Sequence, residues 1–263
     1  MRRKLDGPGL ALAAALCILA MLAACGGGGD AASAAAAQEA EWAELQQMKQ
    51  ALDAKRAELA EAREQLAAAG AEESAGLGAR VEQLAAETQT MADDFNTRLV
   101  AYINANPPVV GEPLSERQQA AIRLKSSEDI LYAREYIAEG GDYGRAIDIY
   151  SAALVADPDN SELKAALEEA QSGRYMSEER FGQLARGMSD DEVRRLLGLP
   201  HYRNVKEYED GAVGWFYPTD ANRSAAAVYF RKRGDDLEVY KFDYRAVVSE
   251  GPRVVGETNG QAD

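Results

Sequence analysis

With 263 residues, 46% of them apolar, the chain is long enough for more than one folded unit, and its 44 acidic against 29 basic residues set a net charge of −15. This balance excludes nucleic acid as a ligand, because neutralising phosphates takes a basic face, and it excludes attachment to an anionic membrane by charge alone. Two cysteines and one histidine leave too few thiols and imidazoles for a Cys- or His-built metal centre, so no metal and no cofactor is expected.

The chain opens with Met1-Arg2-Arg3-Lys4 and continues into an apolar run rich in Leu and Ala over residues 10–24, the layout of a secretory signal. The run is shorter than the roughly 20 apolar residues that a membrane-spanning helix needs. Its last residues and the one that follows, Leu22-Ala23-Ala24-Cys25, resemble the lipobox of bacterial lipoproteins. The resemblance implies a signal peptide of residues 1–24, removed before Cys25, with a diacylglyceryl group on the Cys25 thiol and an acylated new amino terminus. A non-lipidated signal with a chance cysteine is the other reading. In such lipoproteins of two-membrane bacteria an Asp after the cysteine favours inner-membrane retention; Gly26 stands here, which implies the outer membrane. Cys17 lies within the signal, so the mature chain carries no disulfide. Removing Arg2, Arg3, Lys4 and Asp6 leaves it more acidic still. Residues 25–37, glycine and then alanine, read as a flexible tether.

Beyond the tether, Leu45, Leu52, Leu59 and Leu66 recur every seventh residue, with Trp42, Met48 and Ala62 beside them. The helix-forming run reaches about Ala69, where "GAEESAGLG" interrupts it. A second run from near Ala79 places Val81, Leu84, Thr88, Met91, Phe95 and Tyr102 at seam spacing until Pro107-Pro108 ends it. Residues 38–106 are therefore expected as an antiparallel coiled-coil hairpin; a single-helix stalk that oligomerises through its leucines is the alternative.

Residues 114–172 read as a helical module. "GDYGRAIDIYSAALVADPDN" resembles the second helix and exit turn of a tetratricopeptide repeat, with Ala146, Tyr150, Ala153 and Pro158 at the small, aromatic, small and proline positions. Counting back along the unit places Ile130, Ala133, Arg134 and Ile137 on its first helix, with Arg134 where a small residue is usual. One such repeat reads either as a connecting helical layer or as a short concave groove for a peptide.

In "GMSDDEVRRLLGLP", residues 187–200, Ser189 and Glu192 form a capping box, Val193, Leu196 and Leu197 one apolar face, and Gly198 with Pro200 a stop. Strand-like runs follow at residues 214–218, 225–232 and 236–244, the last two joined by an "RGDD" turn signal. The expected fold is mainly α with a small C-terminal α+β domain: two helices on a three-stranded antiparallel meander. Residues 249–263 are rich in Gly, Asn, Gln and Asp and read as a disordered tail.

The run Gly187, Met188, Ser189, Val193, Leu196, Leu197, Gly198 and Pro200, followed by an aromatic strand and a Val-Tyr-Phe strand, resembles the SmpA/OmlA (BamE-like) family over residues 175–248. The resemblance implies a non-enzymatic, periplasm-facing outer-membrane lipoprotein that binds protein partners, subunits of the β-barrel assembly machine among them. The family's small members lack the hairpin and the repeat-like module. Neither Gly-x-Ser-x-Gly, His-Glu-x-x-His nor a phosphate-binding loop occurs, so no catalytic residue is assigned. His201, just after Pro200, reads as a surface residue. The expected partner contacts are Trp215, Phe216 and Tyr217, three aromatics of which Trp215 and Tyr217 share one strand face and Phe216 takes the other, and the basic cluster Arg231, Lys232 and Arg233. The expected role is a lipid-anchored adaptor, the bilayer holding acylated Cys25. The alternative is a structural envelope lipoprotein that oligomerises or contacts the cell wall through its coiled coil.

Overall fold

The structure is a computed structural model and describes residues 29–109, 111–234 and 236–249. Cys25, the signal segment and residues 250–263 of the expected tail lie outside the described residues. The chain divides into two units, Met1–Gln47 and Met48–Asp263. The described part of the first lies in helix α1 (Gly29–Ala68); the rest of α1 and every later element belong to the second.

Helix α1 begins inside the stretch expected as a tether, so residues 29–37 are helical. Alanine is the best helix former, and the alanines there extend the helix back toward the glycines. Helix α2 (Ala71–Ala105) likewise starts earlier than expected, leaving only Ala69 and Gly70 between the helices. Gly76 and Gly78 cost about 1 kcal/mol each relative to alanine but do not stop a helix that Ala and Glu on either side favour. Within the second unit, α1 from Met48 onward and α2 form an antiparallel hairpin. Leu59 and Ala62 pack on Leu84, flanked by Val81 and Ala85, and Lys55 Nζ donates to Glu58 at 3.0 Å and across the pair to Glu87 at 3.2 Å. Leu52, Phe95, Leu99 and Tyr102 are fully buried. Much of the apolar seam of the second unit is thus covered within one chain, with Met48, Leu66, Val81 and Met91 half-buried at its margins.

Helix α3 (Glu116–Gly140) starts at the capping box of Ser115 and Gln118. Its Glu128, buried, accepts both terminal nitrogens of Arg56 on α1, at 3.1 and 2.8 Å, with Lys49 Nζ 3.6 Å away. Desolvation works against the Arg56 charge, but the Glu128 contacts, assisted by Asp53, outweigh it and hold the guanidinium pKa above its ordinary value. Helices α4 (Tyr143–Ala156) and α5 (Ser161–Gly173) complete the repeat-like module. Ile130, Ala133, Ala146, Tyr150 and Ala153 share one core with Leu163, Ala166 and Ala170, and Ile137 packs beside it. Arg134, where a small residue is usual, is exposed and lies outside that core.

The C-terminal domain holds the one-turn helix α6 (Glu178–Phe181), helix α7 (Asp190–Leu197) and four strands, β1 (Val205–Glu207), β2 (Val213–Pro218), β3 (Ala225–Arg233) and β4 (Asp236–Val247). They form one antiparallel sheet in the order β1-β2-β3-β4, so the sheet has four strands and not the expected three. β1 has no alternating pattern because it is three residues long and only Val205 faces the core. The inner face of the sheet, with Trp215, Tyr217, Val228, Phe230 and Val239, packs on Phe181, Leu184, Val193 and Leu197. Among the described residues no helix is long and apolar enough to cross a membrane.

Candidate protein interaction face

Strand parity sends alternate residues to the side of the sheet away from α6 and α7. Antiparallel register makes a single cross-strand row of Lys206, Gly214, Tyr229 and Lys241, one residue from each strand. The neighbouring row holds Phe216, Ala227 and Asp243. Tyr208, just after β1, and Tyr240, on β4, complete the surface.

Tyr229 is its hub. Its ring centroid lies 6.1 Å from Phe216 in an edge contact, 6.3 Å from Tyr208 and 6.4 Å from Tyr240. Gly214 makes this possible: a Cβ there would come 3.1 Å from the Phe216 ring and 3.2 Å from the Tyr208 ring. All four aromatics are half-buried, each keeping part of its surface open. Burial, reinforced by the neighbouring Tyr208 and Asp243, raises the Tyr229 phenol above its ordinary pKa.

Three exposed cations lie on these rings: Arg231 is 4.1 Å from the Tyr240 centroid, Lys206 Nζ 4.8 Å from Tyr208 and Lys241 Nζ 5.2 Å from Tyr229. Contacts of this kind contribute about 0.5–1 kcal/mol at exposed sites. Arg233, two residues past Arg231, is instead committed to Glu238 at 2.7 Å.

This geometry divides the residues expected to meet a partner. Phe216 and Arg231 belong to the open face. Trp215 and Tyr217 do not: both are core residues, the Trp215 ring centroid 4.7 Å from that of Phe230 in a tilted contact and Tyr217 donating its hydroxyl to Gly198 O at 3.0 Å. Burial pushes the Tyr217 phenol far up. Lys232 is exposed at the hairpin end and Arg233 is held by its ion pair, so the basic triplet does not act as one cluster. Sequence reasoning misses Lys206, Tyr208, Tyr229, Tyr240 and Lys241. Tyr229 carries a signal in its place between Val228 and Phe230; the others carry none.

The Gly-Met-Ser run builds the domain. The Gly187 N–H donates to Val239 O at 2.9 Å, the Val239 N–H to Met188 O at 2.8 Å, and Ser189 with Glu192 caps α7. Gly187 (φ +91°) and Gly198 (φ +76°) occupy backbone conformations that favour glycine. Val193, Leu197 and Pro200 are buried and Leu196 half-buried.

Where the C-terminal domain meets the repeat-like module there is a cavity of about 150 Å³ lined by Asp142, Tyr143, Arg174, His201, Asn204 and Tyr217. His201 sits in this joint and not on open surface: Nδ1 accepts the Arg203 N–H, and Nε2 is 3.6 Å from Asp142. Gly141, in the left-handed conformation at the end of α3, brings the backbone there so close to Leu199 O that an added Cβ would stand 2.2 Å away. Among the described residues no cluster of His, Cys, Asp and Glu could hold a metal ion.

Compared with protein-family models, with curated proteins and with solved structures, the chain matches none.

Proposed function

We propose that the protein is a non-enzymatic envelope lipoprotein, anchored through acylated Cys25 and facing the periplasm of an outer-membrane bacterium, where it works as a protein-binding adaptor. One observation carries the binding role: the outer sheet face, where Tyr208, Phe216, Tyr229 and Tyr240 stay half-open and Lys206, Arg231 and Lys241 stand on their rings. Aromatic residues and arginine dominate the energetics of protein interfaces. The Gly-Met-Ser to Leu-Leu-Gly-x-Pro run supports an SmpA/OmlA-like domain, with β-barrel assembly subunits as the partners to seek first. Burial of seam residues within one chain supports this reading over the alternative, a structural envelope lipoprotein that oligomerises or contacts the cell wall through its coiled coil.

Affinity capture from mildly solubilised envelopes tests the adaptor role, with the intact lipoprotein set beside its Phe216→Ala/Tyr229→Ala variant. Barrel-assembly subunits enriched by the intact protein and lost with the variant are the expected result. Equal capture by both, or none by either, contradicts it.

A further inference from the structure

We infer that the segment received by the outer sheet face is acidic: an extended stretch of a partner protein that crosses the strands, sets an apolar side chain beside Tyr229 and gives carboxylates to Lys206 and Lys241. The inference rests on the adaptor reading and names the partner's chemistry.

The charges point to an acidic ligand. In a chain with 15 excess negative charges, Lys206, Arg231 and Lys241 have no acidic partner among the described residues, while Arg233 beside them has taken Glu238. On this side of β4, Asp243 in the next row closes the cationic zone at one end, and Glu238, opposite Arg231, closes it at the other with its carboxylate held by Arg233. Each of the three cations rests on an aromatic ring, which restricts its rotamers without neutralising it, so less side-chain freedom is lost when a carboxylate arrives.

The spacing points to an extended one. Lys206 and Lys241 end one row that spans three strand intervals, about 14 Å at about 4.8 Å per interval. In an extended chain rising about 3.3 Å per residue, residues four apart match that span and lie on one side, with the middle one between them. The middle of the row is Gly214 and Tyr229, where the missing Cβ leaves the floor to aromatic rings. The fitting ligand therefore carries an acidic residue, an apolar residue two positions on and a second acidic residue two beyond that.

A protein segment fits better than an anionic bilayer. Phe216 meets Tyr229 edge-on, Tyr208 and Tyr240 meet it at tilted angles, and all four rings lie half-buried against their neighbours, which leaves less apolar surface to enter a bilayer. A planar anionic surface would also meet the acidic residues beside the face, Glu207, Glu209 and Asp210. A narrow segment meets the local cations, since charges beyond about 8 Å are screened at physiological salt.

The probe is a fluorescein-labelled peptide of sequence Ser-Glu-Thr-Leu-Thr-Glu-Ser, with versions carrying Gln or Lys for Glu. It is titrated into the mature chain carrying Cys25→Ser, so that no acyl group contributes. The expected result is binding at least tenfold tighter for the Glu peptide than for either relative. Lys206→Ala/Lys241→Ala should weaken it at least tenfold and Lys232→Ala less than twofold, with ring-carbon shifts at Tyr229 and Tyr240. Binding of the Gln peptide as tight as the Glu peptide overturns the inference. So does co-sedimentation with phosphatidylglycerol vesicles, lost in Lys206→Ala/Lys241→Ala, when the peptide is ignored. A tenfold gain in peptide affinity on removing residues 250–263 would make the chain's own tail the occupant and would equally overturn it. If the peptide fails while Phe216→Ala/Tyr229→Ala still abolishes capture, the adaptor role stands and the acidic partner falls.

Discussion

Thr88 shows how one atom sets a local cost. It lies in the hairpin seam at 8% exposure, and its hydroxyl has no hydrogen-bond partner among the described residues. An unsatisfied buried hydroxyl costs about 1–3 kcal/mol, so Thr88→Val, which keeps the shape and removes the oxygen, should stabilise the chain by about 1 kcal/mol in urea denaturation. Glu128 gives the opposite case. Replacing it with Ala removes the carboxylate that Arg56 and Lys49 share; because both cations keep Asp53 and reach water, the expected loss is about 1–3 kcal/mol, below what a fully buried pair costs. At Tyr132 the residue scale reads out in pH. The Tyr132 and Tyr136 hydroxyls are 2.9 Å apart, and that hydrogen bond, with burial second, pushes Tyr132 up to about 12. A raised phenol pKa stabilises the fold fully below the ordinary value near 10 and ceases to do so as pH rises through about 12. Ultraviolet titration should show this tyrosine ionising late, and Tyr136→Phe should bring its transition down.

Among the elements, the joint between α3 and the C-terminal domain turns on Gly141. Its φ of +60° and the 2.2 Å gap to Leu199 O together forbid a side chain, so Gly141→Ala should lower stability by at least about 1 kcal/mol and open the joint to protease. Nothing in the sequence announces this, because the clash comes from Leu199, far along the chain. The hairpin was legible from leucines at sevens, and the repeat-like core from Ala146, Tyr150 and Ala153, since helical spacing alone decides which residues face inward. The split of Trp215 and Tyr217 from Phe216 was legible for the same kind of reason, through strand parity. The outer face was legible only in part. Lys206 sits on a strand too short to show a pattern. On β4 the register shifts opposite Tyr229 and Phe230, and Tyr240 and Lys241, though consecutive, both reach Tyr229. A bulge breaks the alternation from which a sequence is read.

For the whole molecule, the proposed function joins an anchor, a helical hairpin and a binding sheet in one chain. The anchor predicts that Cys25→Ser releases the protein from membranes during fractionation; retention would contradict lipidation. The buried seam predicts a monomer in sedimentation of that soluble form, where an oligomer would return the coiled coil to a structural role. Central to the proposed function is a partner docked on the outer sheet face, and site-specific photocrosslinking in intact cells tests it most directly, with a photoreactive phenylalanine analogue at Phe216 and, as control, at Lys232. A discrete protein adduct from position 216 and none from 232 is the predicted result; no adduct from 216, or the same adduct from both positions, would contradict it.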